Sequence, residues 1–218
     1  MNLLNQIVQG LLLGGYYALL ACGLSFMFGV MRIINLAHGS LTVVAAYLLW
    51  VLAEPMGWHP LLALLAVVPA MALLGWLLHK LVLERSARLG ALVPLLATFG
   101  LASMIDNVLF QHFGADTRSL ATSIGTLAYD SWELPGGLYV GQLPTLVLVL
   151  AVLLLGGLHA MLAHTALGRQ ILAASEDADT ARLVGVRTGT VFAAASAITM
   201  VTVTLAGASL VRCTLGTP

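Results

Sequence analysis

Apolar residues run in long blocks along this chain, separated by short clusters of charge, glycine and proline. A helix crossing a bilayer needs about 20 mostly apolar residues. The pattern divides into six hydrophobic segments, at residues 7–30, 41–53, 60–78, 90–110, 141–162 and 189–211. It predicts an all-α fold, a polytopic transmembrane helical bundle forming one domain over residues 1–218. The second segment is too short to span alone and follows a polar stretch holding Arg32, Asn35 and His38. It reaches spanning length only if residues 32–40 also lie at membrane depth. The second helix is therefore expected to be interrupted, its freed backbone groups facing protein or water and not lipid. Pro69 and Pro94, inside the third and fourth segments, are expected to kink or begin helices.

Composition settles the solvent. The chain is 60% hydrophobic and 8% charged, against about 25% charged in a soluble domain, which excludes a soluble globule. Nine Lys and Arg balance nine Asp and Glu, so no basic field exists for nucleic acid, and membrane lipid is the expected surroundings. The charges are nonetheless segregated. Residues 79–88 hold Lys80, Arg85 and Arg88, and the loop of about 164–188 holds Arg169, Arg182 and Arg187. The excess of Lys and Arg in short cytoplasmic loops places both on the cytoplasmic side. The loop of about 111–139 then lies outside, with Arg118 against Asp116, Asp130 and Glu133, and with Tyr129, Trp132 and Tyr139 suited to an outer interfacial belt. The N-terminus is outside if the second segment crosses fully and inside if that segment re-enters. The first segment has no Lys or Arg before it and outlasts the apolar core of about 7–15 residues in a signal peptide, so it reads as a retained first helix.

Chemistry must come from the loops and from polar residues within spans. The one lysine, Lys80, lies outside any Gly-x-x-x-x-Gly-Lys pattern, so nucleotide would have to be bound by another subunit. No nucleophile elbow, His-Glu-x-x-His pair or Cys-x-x-Cys is present, and Cys22 and Cys213 read as small apolar fillers. No cofactor, metal or catalytic residue is expected. Gly10, Gly14, Ala18 and Cys22 recur every four residues and offer a smooth face for helix packing. Asn35 and His38, three apart, would share a helix face between the permissive backbones of Gly29 and Gly39. Two readings stay open for this pair: a polar pathway, or hydrogen bonds that hold neighbouring helices or a short cytoplasmic turn. Arg32 is expected to be an interfacial anchor. Asp106 and Asn107, about one turn from the outer end of the fourth span, are expected to snorkel to the interface.

The loop of 164–188 has the pattern of two short helices meeting at Ser175-Glu176-Asp177. The carboxylates favour the N-terminus of the second helix, and Gly185 supplies a C-cap. Ala178, Ala181 and Val184 would then face a partner's groove.

The stretch from Gly14-Gly15-Tyr16-Tyr17 to Arg32-Ile33-Ile34-Asn35-Leu36-Ala37-His38-Gly39 resembles the inner-membrane permease subunits of branched-chain amino-acid ABC importers. Ala97-Thr98-Phe99-Gly100-Leu101 is similar to the Thr-x-Gly-Leu element of that family. Residues 166–186, with Gly168-Arg169, Ala-x-x-Glu176-Asp177 and Ala181-Arg182-Leu183-x-Gly185 in order, resemble its cytoplasmic coupling loop. The resemblance implies a transport subunit, not an enzyme, working by alternating access with a second homologous permease, two ATP-binding subunits and an extracytoplasmic solute-binding protein. It implies a substrate pathway at Tyr17, Asn35, His38, Gly39 and Thr98. It implies coupling to the ATPase through Gly168, Arg169, Glu176, Asp177, Ala181, Arg182 and Gly185. Permeases for urea or short amides look alike, and an ion-coupled secondary carrier is the alternative from another class. Two departures stand out. Leu172 replaces a second arginine of the coupling loop, and relatives continue through further helices after the equivalent of Ala206-Gly207.

Overall fold

The uncharged first segment forms one continuous helix, α1 (Leu3–Met31). In the computed structural model, which describes residues 3–90, 92–114, 131–134 and 138–213, the chain leaves α1 through Arg32 at φ 54°. A non-helical passage of residues 32–37 leads to α2 (His38–Ala53), which has 16 residues. The expected interruption is present, with two corrections. Asn35 lies in the passage and not on a helix face, and the left-handed turn falls on Arg32, whereas Gly29 and Gly39 are both helical.

The third segment begins with Pro60 in the first turn of α3 (Pro60–Leu78), where its missing N–H costs nothing. It passes Pro69 without a break in the assigned helix. The charged stretch expected as a loop at residues 79–88 is helical instead. A π turn over His79–Leu83 leads to α4 (Glu84–Ala87), so the rod runs from Pro60 to Ala87. Charge did not stop the helix because long side chains carry it outward. The Lys80 ammonium lies 4.4 Å from the Trp76 ring centroid, and Arg88 pairs with Glu84 one turn back at 2.7 Å. Pro94 sits in the first turn of α5 (Val93–Phe113), beginning a helix as the pattern predicted.

The loop expected on the outer side holds a feature the pattern did not predict: a two-stranded antiparallel ribbon, β1 (Ser131–Leu134) and β2 (Leu138–Gly141), with Trp132 opposite Val140. Asp116, Arg118, Tyr129 and Asp130 lie outside the described residues. Then follow α6 (Gln142–His164), α7 (Ala166–Glu176), α8 (Ala178–Leu183) and α9 (Thr188–Cys213). Among the described residues five helices are long and apolar enough to cross a membrane: α1, the α3–α4 rod, α5, α6 and α9. The helix of the second hydrophobic segment, α2, is shorter. The fold is an all-α polytopic bundle, as the hydrophobic blocks predicted.

The central element is α9, which packs against α3, α1 and α2. Met27, Leu41, Ala45, Met71, Met200 and Val203 form the main core between these helices. Glycine permits the closest crossings: a Cβ on Gly75 would lie 2.7 Å from the Ser196 carbonyl oxygen, and one on Gly207 would lie 2.8 Å from that of Thr42. The small-residue face expected on α1 is displaced. Nothing lies within 4 Å of a Cβ on Gly10 or Gly14, and the close approach comes at Gly15, where a Cβ would lie 3.0 Å from Leu148 Cα. Met31, the π turn and the α8–α9 junction share one end of the bundle, lining a single cavity there. Tyr47 and Phe113 stack at 4.3 Å toward the other end. Both basic clusters thus lie at one end, and α1 begins at the opposite end.

Candidate functional site

The break between α1 and α2 leaves backbone groups without helical partners, and inside a bundle these must be satisfied by protein. Side chains do so. Asn35 Oδ1 accepts from the Ala37 N–H at 3.0 Å, an Asx turn that starts α2. The Leu36 N–H donates across to Thr98 Oγ1 on α5 at 3.2 Å. The Thr98 hydroxyl itself lies 2.9 Å and 3.0 Å from the carbonyls of Pro94 and Leu95, to which it donates. His38 Nε2 donates to the Leu20 carbonyl, midway along α1, at 3.3 Å. That bond assigns the tautomer and leaves Nδ1 as an acceptor, buried and without a partner among the described residues. Asn35 and Thr98 are 1% and 0% exposed, so this constellation is sealed from lipid.

The third wall comes from α9. A Cβ on Gly23 would lie 2.9 Å from His38 Cε1 and 3.5 Å from Thr199 Cγ2, and would also meet the Thr202 hydroxyl. Glycine at position 23 is what lets α1, α2 and α9 meet there. Buried hydroxyls continue along α9 at Ser196, Thr199, Thr202, Thr204 and Ser209. Thr199, Thr202 and Thr204 donate back to the carbonyls of Ala195, Thr199 and Met200 at 3.0, 2.7 and 2.8 Å. Their oxygens remain acceptors. The arrangement can therefore offer fixed dipoles to a polar solute, with no fixed charge to hold it permanently. Among the described residues no group of three His, Cys, Asp or Glu could hold a metal.

Of the pathway residues expected from the sequence, the structure brings together Asn35, His38 and Thr98. It does not bring in Tyr17, which is 60% exposed and set edge-on to Tyr16, nor Gly39, which is exposed on α2. Thr199 and Thr202 were missed. Their signal was two hydroxyls three residues apart in an apolar span. Asp106 and Asn107 are exposed on α5, and Asn107 Nδ2 donates to the Ser103 carbonyl at 2.7 Å.

At the basic end, α7 is capped by Thr165, whose hydroxyl oxygen accepts from the Gly168 N–H at 2.9 Å. Gly168 is pressed on the end of α6, where a Cβ would lie 2.6 Å from Leu162 Cα. Asp177 caps α8, Oδ1 accepting from the N–H of Asp179 at 2.9 Å and of Thr180 at 3.2 Å, while Oδ2 accepts from the Thr180 hydroxyl. The Thr180 hydroxyl and these two amides hold the Asp177 carboxyl below the usual carboxylate range. Gly185, at φ 90°, ends the turn, and the Val186 N–H donates back to the Ala181 carbonyl at 3.0 Å. Arg182 is tied at both sides, to Thr188 Oγ1 at 2.8 Å and to Asp179 at 3.0 Å. Arg169 and Glu176 are exposed. The capping pattern is the one the sequence predicted, but the presented face is not. Ala181 is buried beneath α8 with Ile171 and Val191, since a methyl side chain fits that contact, and Leu183 and Val184 are the exposed apolar pair at 88% and 76%.

Apolar helices around a sealed polar break, with a doubly capped amphipathic loop at one end, define a multi-pass membrane protein whose polar interior is lined by protein. The sequence matches the family described as "Branched-chain amino acid transport system / permease component" over residues 6–216, and the chain belongs to that family. With its span-length helices, membership of this family of transport components makes it a multi-pass inner-membrane protein. The chain is similar to the high-affinity branched-chain amino acid transport system permease protein BraD of Pseudomonas aeruginosa, 24% identical over 199 residues. It is also similar to the permease protein LivH of Escherichia coli K12, 23% identical over 199 residues, and to that of Salmonella typhimurium, 23% over 203 residues. These matches cover 87% of this chain and 64% of each relative, so the chain spans less than two thirds of the relatives' length. No solved structure matches it.

Proposed function

We propose that the chain is a membrane permease of an ATP-driven importer for branched-chain or related amino acids. It passes substrate by alternating access and performs no chemistry itself. Its partners in this reading are a second homologous permease, two ATP-binding subunits and an extracytoplasmic solute-binding protein. Family membership supports the substrate class. The observation that carries the mechanism is the clamp at the broken helix, where the Leu36 N–H on the passage donates to Thr98 on α5 and the Nδ1 of His38, two residues on, has no partner among the described residues. An amino-acid zwitterion that leaves water needs donors and acceptors in place of hydration, and a broken helix offers both. The hinge-like passage of residues 32–37 can shift without unwinding a full span.

The loop of α7 and α8 is the proposed coupling surface. Arg169 and Glu176 face outward, and Asp177 and Gly185 fix the shape of α8. Gly168 and Ala181 fasten the loop to the spans, so force applied at its surface is passed inward. By the distribution of Lys and Arg this end is cytoplasmic.

The test is uptake of labelled leucine into proteoliposomes holding the permease pair, with and without the ATPase and with the proton gradient collapsed. Uptake that needs ATP and the ATPase and persists without a gradient is expected. Uptake that survives loss of the ATPase but stops with the gradient points to an ion-coupled carrier and overturns the reading. ATP-dependent uptake of labelled urea with none of labelled leucine reassigns the substrate to short amides.

A further inference from the structure

A cavity of about 790 Å³ lies at the basic end, between the π turn of His79–Leu83 and the α8–α9 junction. Lys80, Arg88, Arg182 and Arg187 line it against one carboxylate, Glu84, a surplus of three positive charges from four cations and one anion. Two of the cations are already engaged, Arg88 with Glu84 at 2.7 Å and Arg182 with Asp179 at 3.0 Å. Lys80 rests on the Trp76 ring, and Arg187 makes no ion pair with any described residue. Met31, Leu83 and Phe192 supply an apolar wall.

His79 marks the cavity as more than a charged rim. It is 3% exposed and lines the space, yet neither Nδ1 nor Nε2 has a hydrogen-bond partner among the described residues. A buried imidazole with both nitrogens unsatisfied costs free energy that a polar ligand would recover. The first turn of α9 opens on the same space at Thr188, Gly189 and Thr190, and the Glu84 carboxylate oxygens lie 3.9 Å from the place of a Cβ on Gly189. An anion is therefore already drawn toward this helix start, where amides and dipole favour negative charge.

We propose that the cavity is a site for an anionic phosphate group, its oxygens taking a hydrogen bond from His79 and charge from Arg187. The apolar wall suits the chain of an anionic phospholipid of the adjoining leaflet, because basic pockets at the ends of membrane helices accept lipid headgroups. Free phosphate offers the same oxygens without the chain. A bound group bridges the π turn to the junction that follows the proposed coupling loop. The transport reading decides only which leaflet supplies the lipid, and the site is tested by binding, so the two can fail separately.

The test is native mass spectrometry of the purified full chain with phosphatidylglycerol, phosphatidylcholine and inorganic phosphate. Phosphatidylglycerol is expected to be retained over phosphatidylcholine, with Arg187→Gln lowering its retention about fivefold, the effect of one cation on an anionic lipid. His79→Phe should lower it as well. Arg85→Gln makes the same charge change at the same end, on an exposed residue outside the cavity lining, and should leave retention unchanged. Glu84→Gln should raise it. Displacement of the lipid by inorganic phosphate supports the shared chemistry, and retention of phosphate without phosphatidylglycerol assigns the site to the free anion. Equal retention of both lipids with no bound phosphate, or equal loss in Arg85→Gln and Arg187→Gln, overturns the proposal.

Discussion

Thr98 accepts the hydrogen bond from the Leu36 N–H that ties the broken passage to α5, and it is fully buried. Thr98→Val keeps the shape but leaves the Leu36 N–H without an acceptor, a loss of about 1–3 kcal/mol. The expected outcome is a lower unfolding temperature with reduced uptake, and near-normal values for Thr98→Ser, which restores the oxygen. Equal behaviour of the two variants in a thermal melt and an uptake assay would show that the hydrogen bond is not what matters. Asn35 and His38 were legible because polar groups at membrane depth must be enclosed, whereas Thr98 was marked by the resemblance. Thr199 and Thr202 were not, since a threonine in a helix can satisfy itself on its own carbonyl ladder and so gives no sign of its role. Tyr17, marked by the resemblance alone, lies on the exposed side of α1.

Local chemistry decided the ends of α7 and α8. Thr165 and Asp177 cap them and Gly185 closes the turn, each at the position its residue type predicts. Two measurements follow. Gly185→Ala places a Cβ at φ 90°, which costs about 1–2 kcal/mol, so membrane insertion should be normal and co-purification with the ATPase reduced; unchanged co-purification counts against the coupling assignment. The pH response of the α8 cap follows from Asp177, whose acid is held below its ordinary value. The stabilisation is present in full above the unfolded value of about 3.9 and is lost only as pH falls through the lower folded value. Co-purification measured from pH 8 to pH 5 should therefore show no transition due to Asp177, and Asp177→Asn, which still caps, should match the parent. What misled at this scale was charge: Lys80, Arg85 and Arg88 read as a loop, yet their stems let the helix continue to Ala87.

At the scale of the whole bundle, Met31, the π turn and the α8–α9 junction share one end, which ties the orientation of every span to a single choice. Arg85→Cys and Ser175→Cys should react together with an impermeant maleimide from the cytoplasmic side only. Labelling of either from the outside in intact cells would reverse the orientation and remove the proposed coupling loop from the reach of any cytoplasmic ATPase. Cys22 is buried and should not contribute to the signal.

The amino-acid pattern alone was enough for the solvent, the number of apolar segments, the interruption after α1 and the caps of α7 and α8. Each of these depends on hydropathy, or on contacts within a few residues along the chain. It took the packed bundle to show that α9 is the hub, that Gly15 and Gly23 and not Gly10 and Gly14 are the sites of close approach, and that Ala181 faces inward. The bundle alone showed that His79 lines a basic cavity with both nitrogens unpartnered. Lipid is as apolar as a helix core, so a span carries no amphipathic stripe to say which face meets protein. That choice is made by close packing between helices distant in sequence, which no local pattern records.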